Sequence, residues 1–429
     1  MTAFRKILLA AALGVVLAPP LEAAPEAIYG PGPRALDNRE IFSPSNLPLW
    51  KKLDRAGVEG IVLNPSFLVE STFQRQTERP RPAGSHLDDG DLAALARMVA
   101  ETGLTVTYAA GIGLSSDRCD RDLGPEDLGR QAAAFEFERN VARLLDAGVR
   151  VSAINVDGAF LRLLADTNKR TSCRNASGGF DLPFTVRAAQ AYMLGMRDRI
   201  EAAQGGRRLV VRMLVNLPNW QAGTIPRIGN DKRIVTTDIA DVLRAFARLQ
   251  ARGVSGTRPL EIAEIVIDYP YAIVRHNPRH FVARVRHLWA ASRDINASGL
   301  EPPFGFIVNS RSFVHACMDR ETDTEAEFLA FRPAGRTVSP ACRRAQVGED
   351  TAANAQDGIF DNDTDYLRDS FTYADALQPG GELARQLVDR DGVRITDHVA
   401  HLYFQSWGVN PMSNAWYMER LIGRLSGGR

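Results

Sequence analysis

Short apolar segments recur along the chain and alternate with amphipathic segments of helical length. Several of the helical segments end at a glycine, as at Gly57, Gly103, Gly148 and Gly253, and a strand-like segment rich in β-branched residues follows each one. A glycine just past a helix supplies the left-handed conformation that closes it, so these positions predict helix ends. The pattern predicts eight strands, over residues 27–30, 60–64, 104–108, 152–157, 209–216, 264–268, 304–309 and 399–404.

Strands that alternate with helices indicate parallel βαβ units, and eight such units predict an α/β fold in the form of a closed (β/α)8 barrel, the TIM-type barrel. The first strand is short, so an open doubly wound sheet is the alternative. The chain has no GxGxxG and no GxxxxGK[ST] motif, and the sequence therefore gives no support to a dinucleotide-binding or P-loop version of that sheet.

The N-terminus has the pattern of a secretory signal. Arg5 and Lys6 precede an apolar run over 7–18, and small residues near Ala23 offer a cleavage site. The run is too short for a membrane span. We therefore expect a signal peptide over 1–23, a single barrel domain over 24–429, a periplasmic or secreted location and no stable membrane insertion after cleavage. An uncleaved anchor is the alternative.

The four cysteines fit an oxidising compartment. Cys119, Cys173, Cys317 and Cys342 are widely spaced and form no CxxC, which favours structural disulfides over a zinc site. Three connectivities are possible, and we favour Cys119–Cys173 with Cys317–Cys342, since each pair would join loops at one end of the barrel.

Composition and net charge limit the classes of molecule that the protein is expected to bind. Hydrophobic residues make up 45% and charged residues 24% of the chain, as in ordinary globular proteins, and the formal net charge is +1. A charge so close to zero argues against nucleic acid or an anionic membrane as the main partner.

Two of the predicted strands end at an aspartate. Asp157 ends the fourth strand and Asp268 ends the sixth, and in a parallel barrel the carboxyl ends of the strands form the ligand-binding face. Alternate strands supply one inward layer, so the two carboxyl groups are expected about 5 to 9 Å apart, the range over which paired carboxylates cleave glycosidic bonds. The competing interpretation is that each aspartate caps a loop or pairs with an arginine.

This layout resembles that of barrel-type glycoside hydrolases, especially retaining α-glycosidases with catalytic aspartates at the ends of strands four and six. The resemblance covers the barrel pattern and these two positions. It does not include an extended sequence motif. It implies that Asp157 is the nucleophile and that Asp268 is the acid/base.

Other strand ends carry side chains suited to hydroxyl-rich ligands, namely aromatic faces, amides and a guanidinium. The alternative for the aromatic ones is ordinary packing. The predicted substrate contacts are Asn64, Tyr108, Asn216, Trp220, Tyr269, Asn309, Arg311 and Trp407.

Three long segments follow strands, over 65–88, 158–180 and 310–365, and would form a cleft on the same face. Asp361 to Asp365 resembles the start of a calcium loop, but Tyr366 stands where glycine is required, so an acidic helix start is the preferred interpretation. The seven histidines form no HExxH or HxH pattern, and no GxSxG is present. No cofactor and no metal are expected.

The sequence thus predicts an exported glycoside hydrolase acting on a bacterial envelope or extracellular polysaccharide. The alternatives are a non-catalytic carbohydrate-binding barrel and a metal-dependent hydrolase.

Overall fold

The computed structural model describes the barrel and most of its surrounding helices. It covers residues 24–33, 35, 37–68, 86–115, 123–164, 180–225, 235–253, 258–310, 363–406, 411 and 413–427. The strands are β1 (Glu26–Gly30), β2 (Val58–Leu63), β3 (Thr105–Ala110), β4 (Ala153–Asp157), β5 (Val210–Asn216), β6 (Ile262–Asp268), β7 (Phe304–Ile307) and β8 (Val399–Gln405).

Helices lie between the strands and cover the outside of the barrel. Those described are α1 (Leu47–Arg55), α2 (Asp89–Thr102), α3 (Pro125–Glu136), α4 (Ala142–Asp146), α5 (Ala159–Leu164), α6 (Leu182–Ala203), α7 (Ile239–Arg252), α8 (Tyr271–His276), α9 (Pro278–Ser292), α10 (Asp363–Leu377), α11 (Glu382–Gln386) and α12 (Asn414–Gly427).

The eight strands form a closed parallel barrel in sequence order. The closure is made by β8 against β1, with Glu26 opposite His401 at one end and Gly30 opposite Gln405 at the other. The predicted (β/α)8 barrel is therefore confirmed, and the open sheet is wrong, because the short first strand pairs along its whole length.

Local sequence signals set the helix boundaries. Asp88 and Asp91 form a reciprocal capping box at the start of α2, and Gly103 ends that helix with φ 79°. The helical segment that ends at Gly148 is not regular throughout, since α3 passes through a π-helical turn over Phe137–Val141 before α4. The acidic segment near Asp363 starts a helix, α10, as predicted.

Two apolar layers hold the barrel together. Side chains on one face of the strands pack against the helices, while those on the other face fill the interior. The interior apolar cluster is Ile28, Val62, Ala109, Leu214, Val266, Ile307 and Tyr403.

The strand registers arrange the inward side chains in layers. In the strand ladders Asp157 lies opposite Leu214, and Leu214 lies opposite Val266. Because the strands of such a barrel are staggered, a layer across the axis moves forward by roughly two residues from one even strand to the next, here from Val266 to Asp268. Asp157 and Asp268 therefore belong to one layer at the carboxyl-end mouth. The same count around the barrel gives the whole layer as Asn64, Asp157, Asp268 and Gln405.

No helix among the described residues is long and apolar enough to cross a bilayer. The predicted signal peptide, the single-domain range over 24–429 and the four cysteines involve residues outside the described ranges, and they stay predictions.

Candidate active site at the carboxyl-end mouth

The mouth of the barrel carries a buried carboxylate between two amides. Asp268 ends β6 and is only 7% exposed. The Asn216 side chain donates to its Oδ2 at 2.8 Å, and the Asn309 side chain donates to its Oδ1 at 3.2 Å. Three neighbouring strand ends thus bring together the predicted residues Asp268, Asn216 and Asn309.

Backbone contacts keep these strand ends in place. Asn216 lies opposite Asp268 in the β5–β6 ladder, and the Tyr271 amide donates to the Asn309 carbonyl at 2.9 Å. Asp268 is therefore oriented by groups that are themselves fixed by the barrel wall. Such preorganisation of a buried acid is a usual property of catalytic carboxylates.

Asp157 occupies the same layer but has a charged partner. Arg162 donates through Nη2 to Asp157 Oδ2 at 3.0 Å and through Nε to the Asp157 carbonyl at 3.1 Å. The Asp157 side chain is 30% exposed and that of Arg162 is 10% exposed. One carboxylate of the mouth is thus paired with a guanidinium, as the competing interpretation of the sequence allowed, and it still has an exposed surface.

Asn64 also lies in the mouth layer, where it shapes the backbone. Its side chain accepts a hydrogen bond from the Ser66 amide at 2.8 Å and caps the 3-10 turn over Pro65–Phe67. This use of the side-chain oxygen is the ordinary capping role of asparagine.

Three predicted substrate contacts lie outside the mouth. The Tyr108 side chain is fully buried on the outer side of the wall, where its hydroxyl donates to Glu136 Oε1 at 2.9 Å. Tyr269 is 1% exposed and packs edge-to-face on Phe281, and Trp220 is 3% exposed within the outer core. Tyr108, Tyr269 and Trp220 pack the scaffold, so we remove them from the proposed contacts.

For Tyr108 and Tyr269, the physical reason for this correction is strand alternation. Neighbouring residues of a strand face opposite sides of the sheet, so Tyr269 cannot share the inward face of Asp268 in an extended segment. Arg311 and Trp407 lie outside the described residues, and their placement as substrate contacts stays a prediction.

Helix α10 contributes two tyrosines that sequence reasoning missed. Burial raises the pKa of Tyr366 well above its ordinary value, with Tyr417 and the negative charge of Asp268 adding to the effect. The same causes, burial first and then the charges of Tyr269 and Asp268, raise the pKa of Tyr373. Both phenols therefore lie within the field of Asp268, and no sequence motif marked them.

Gln405 is the other missed residue of the mouth layer. It is 3% exposed, and its Oε1 has no hydrogen-bond partner in the described structure. Asn309 Oδ1 is likewise buried without a partner there. Strand alternation could have found Gln405, since it lies two residues beyond the inward Tyr403.

The opposite, amino-terminal end of the barrel holds a second polar cluster. Arg212 bonds Glu264 at 2.9 Å, and Glu264 also accepts from Tyr403 at 2.6 Å and contacts His401 at 2.9 Å. Glu264 is 1% exposed, so the cluster is a buried ion-pair network.

Within the described part of the chain, one group of three side chains brings possible metal-ligand atoms within 4.8 Å of one another, namely Glu26, Glu59 and His401. It lies at this amino-terminal end, and the His401 Nε2 is already 3.1 Å from Glu59. Ordinary hydrogen bonding accounts for that arrangement.

Comparison with known proteins adds little to the geometry. No protein-family model matches the chain, and no curated protein matches it. Similar solved structures include a psychrophilic glycoside hydrolase family 10 endo-β-1,4-xylanase, with 10% identity, 90% of this chain and 87% of that chain covered, and a TM-score of 0.38. A GH18 chitinase from Pseudoalteromonas aurantia has 9% identity, 93% and 99% coverage, and a TM-score of 0.37.

Barrels of other chemistry are similar to the same degree. A D-psicose 3-epimerase has 14% identity, 65% and 72% coverage, and a TM-score of 0.32. The solved structures thus include glycoside hydrolases beside other barrel enzymes, and at these scores they carry no functional argument.

Proposed function

We propose that the protein is a glycoside hydrolase that uses Asp157 and Asp268. The observation that carries the proposal is the shared layer at the mouth, in which a buried aspartate held by two amides stands with a second, partly exposed aspartate. Paired carboxylates at a barrel mouth are the usual machinery for cleaving a glycosidic bond. The substrate we propose is a bacterial envelope or extracellular polysaccharide, in line with the predicted signal peptide.

Each aspartate has surroundings that suit one role. Arg162 orients the Asp157 carboxylate through Oδ2, which leaves Oδ1 as the oxygen for attack on the anomeric carbon. Asp268 would give its proton to the leaving oxygen and then take one from water, as the acid/base of a retaining enzyme does.

The amides of Asn216 and Asn309 can hydrogen-bond to Asp268 whether or not it carries a proton. Both carboxylate oxygens accept an amide N–H in the structure, which is the pattern of the charged form. When Asp268 carries a proton, rotation of the Asn309 amide would turn its Oδ1 into an acceptor for that O–H. The pair could then hold either form without losing a hydrogen bond.

Amides and carboxylates also suit the binding of sugar hydroxyls. The buried Gln405 Oε1 and Asn309 Oδ1 have no partner in the described structure, and a ligand hydroxyl could donate to either. We retain Asn216 and Asn309 as proposed contacts, together with Arg311 and Trp407 from the predictions. Asn64 is a weaker proposal, because its side-chain oxygen already caps a turn.

The experiment is release of reducing ends from a panel of bacterial polysaccharides by the wild-type protein. Asp157→Asn and Asp268→Asn should each lower turnover by roughly 10²- to 10⁴-fold, the usual contribution of an acid, base or nucleophile of this kind. Asp397→Asn, at an exposed pair with Arg394, is the matched control and should keep wild-type turnover.

Two outcomes would redirect the proposal. Tight binding to one polymer without turnover would favour a non-catalytic carbohydrate-binding barrel. Turnover that survives both substitutions and disappears with EDTA would favour a metal-dependent hydrolase.

A further inference from the structure

Glu136, which lies outside the barrel wall, accepts three hydrogen bonds through its buried carboxylate. Glu136 is fully buried at the end of α3, where the helix passes into the π-helical turn. Its Oε1 accepts from the Tyr108 hydroxyl, and its Oε2 accepts from the Tyr192 hydroxyl at 2.7 Å and from the Gly113 amide at 2.6 Å. Single π-helical turns inside α-helices are frequent at functional sites.

Burial of a carboxylate is costly unless the charge is compensated. Burial raises the pKa of Glu136, and the hydrogen bonds from Tyr192, Gly113 and Tyr108 and the charge of Arg162 oppose that rise. A leucine or methionine would fill the same space without this cost, so the polar contacts require an explanation besides packing.

The contacts of Glu136 converge on the turn that follows β3, over Ile112–Ser115 and the preceding Gly111. The Gly111 amide donates to the Tyr192 hydroxyl at 2.7 Å, and that hydroxyl donates onward to Glu136. Since Gly113 donates to Glu136 directly, one carboxylate fixes two amides of the same turn.

This turn lies directly against the backbone of Asp157. Gly111 has φ 115°, and a Cβ atom built on it would lie 2.3 Å from the Asp157 carbonyl oxygen. A side chain at that position would therefore displace Asp157 or the turn. The position of the turn thus limits the position of Asp157.

A second connection runs through the guanidinium of Arg162. Arg162 bonds both the side chain and the carbonyl of Asp157, and the charge of Glu136 acts on the same guanidinium. Arg162 is 8% exposed, so its interaction with the charge of Glu136 is poorly screened by water.

We propose that Glu136 is a positioning residue for Asp157, which it holds in place through the turn at Gly111–Ser115 and through Arg162. The catalytic meaning of this inference rests on the proposed function, in which Asp157 is the nucleophile. The hold of Glu136 on the turn does not depend on that function and is measurable without a substrate.

The first arm of the test measures amide hydrogen exchange at Gly111 and Gly113 in protein labelled with ¹⁵N-glycine. Glu136→Gln should speed exchange at both glycines by about 10-fold or more, since a loss of about 1.4 kcal/mol corresponds to that factor. Tyr192→Phe should speed exchange at Gly111 and leave Gly113 unchanged. Gln190 lies on the same helix as Tyr192 but is bonded to Gln250. Gln190→Ala should therefore leave the exchange rates of both glycines unchanged.

The second arm measures kcat and KM on the polysaccharide that the wild type degrades. Glu136→Gln should lower kcat by about 10-fold or more and leave KM within about 2-fold, because it disturbs the reacting carboxylate rather than the sugar contacts. A variant that only loosens the fold would instead change the fraction of active protein, which thermal melting would reveal.

The two arms separate the two proposals. Unchanged exchange at both glycines in Glu136→Gln, or in Tyr192→Phe at Gly111 if the first variant fails to fold, would overturn the positioning role. Faster exchange with full turnover in Asp157→Asn would keep Glu136 as the residue that holds the turn and would overturn the glycosidase proposal instead.

Discussion

The two ends of the barrel both bury charged groups, and they do so in different ways. At the amino-terminal end, Glu264 is matched by Arg212, His401 and Tyr403 within one network. At the carboxyl-terminal mouth, Asp268 is held by the neutral amides of Asn216 and Asn309.

The difference separates a structural network from a candidate catalytic one. At the amino-terminal end a carboxylate that is 1% exposed meets a guanidinium and an imidazole, whereas at the mouth Asp268 meets two amides and Asp157, although paired with Arg162, keeps a side chain that is 30% exposed. The buried, unpartnered oxygens of Gln405 and Asn309 also lie at the mouth. This contrast fits the general division of such barrels into a stability face and a ligand face.

The largest effect is expected from breaking the amino-terminal network. Glu264→Gln would leave the Arg212 guanidinium buried without its counter-charge, and the free energy of unfolding should fall by roughly 3 to 5 kcal/mol. Denaturation in urea measures it. The control is Glu126→Gln, whose exposed pair with Arg187 should contribute no more than about 1 kcal/mol. Equal losses of unfolding free energy in Glu264→Gln and Glu126→Gln would contradict the structural role assigned to the amino-terminal network.

The network should also make stability depend on pH. Burial opposes the charged form of His401, but the hydrogen bond and charge of Glu264 outweigh it, and the pKa of His401 is raised from 6.5. The stabilisation is therefore complete below pH 6.5 and is lost as the pH rises through the higher pKa of the folded state.

Unfolding measured in a series of buffers from pH 6 upward tests this dependence. The loss should amount to about 1.4 kcal/mol for each unit by which the pKa is raised. His401→Gln should abolish the decline, and His398→Gln, at an exposed position, should keep it. A wild-type protein whose stability is flat across this window would show that the charged imidazole contributes nothing.

Loss of the Asp268 charge at the mouth should change the stability of the fold very little. In Asp268→Asn the stronger hydrogen bonds to a carboxylate disappear, but so does the cost of burying the charge, and the free energy of unfolding should change by no more than about 1 kcal/mol. The same urea titration measures it beside Glu264→Gln. A loss as large as that of Glu264→Gln would make Asp268 part of the scaffold.

The last variant tests the role of Asn64. Because its side chain caps a turn, Asn64→Ala should cost about 1 kcal/mol of stability and leave turnover nearly unchanged, while Asn64→Ser should keep both. Lost turnover at unchanged stability would restore Asn64 as a substrate contact.

Much of the fold was readable from local patterns. Glycines such as Gly103 and Gly148 marked helix ends because few other residues adopt positive φ at low cost. The end of β6 at Asp268 and of β4 at Asp157 followed from where the apolar runs stop. Two of the aromatic residues face the outer core because side chains alternate along a strand: Tyr108 precedes the inward Ala109, and Tyr269 follows Asp268.

The sequence by itself thus determined the eight βα units, the barrel class and the two aspartates at strand ends, since these depend on periodicity within short segments. Only the tertiary structure decided which partners each charge has. Arg212, Glu264 and His401 are distant in sequence and meet because barrel closure places β5, β6 and β8 around one axis. Glu136 likewise meets the turn beside Asp157 through Tyr192, Gly111 and Gly113, which are contributed by separate elements. Such contacts depend on closure and stagger of the whole barrel, and no local pattern records them.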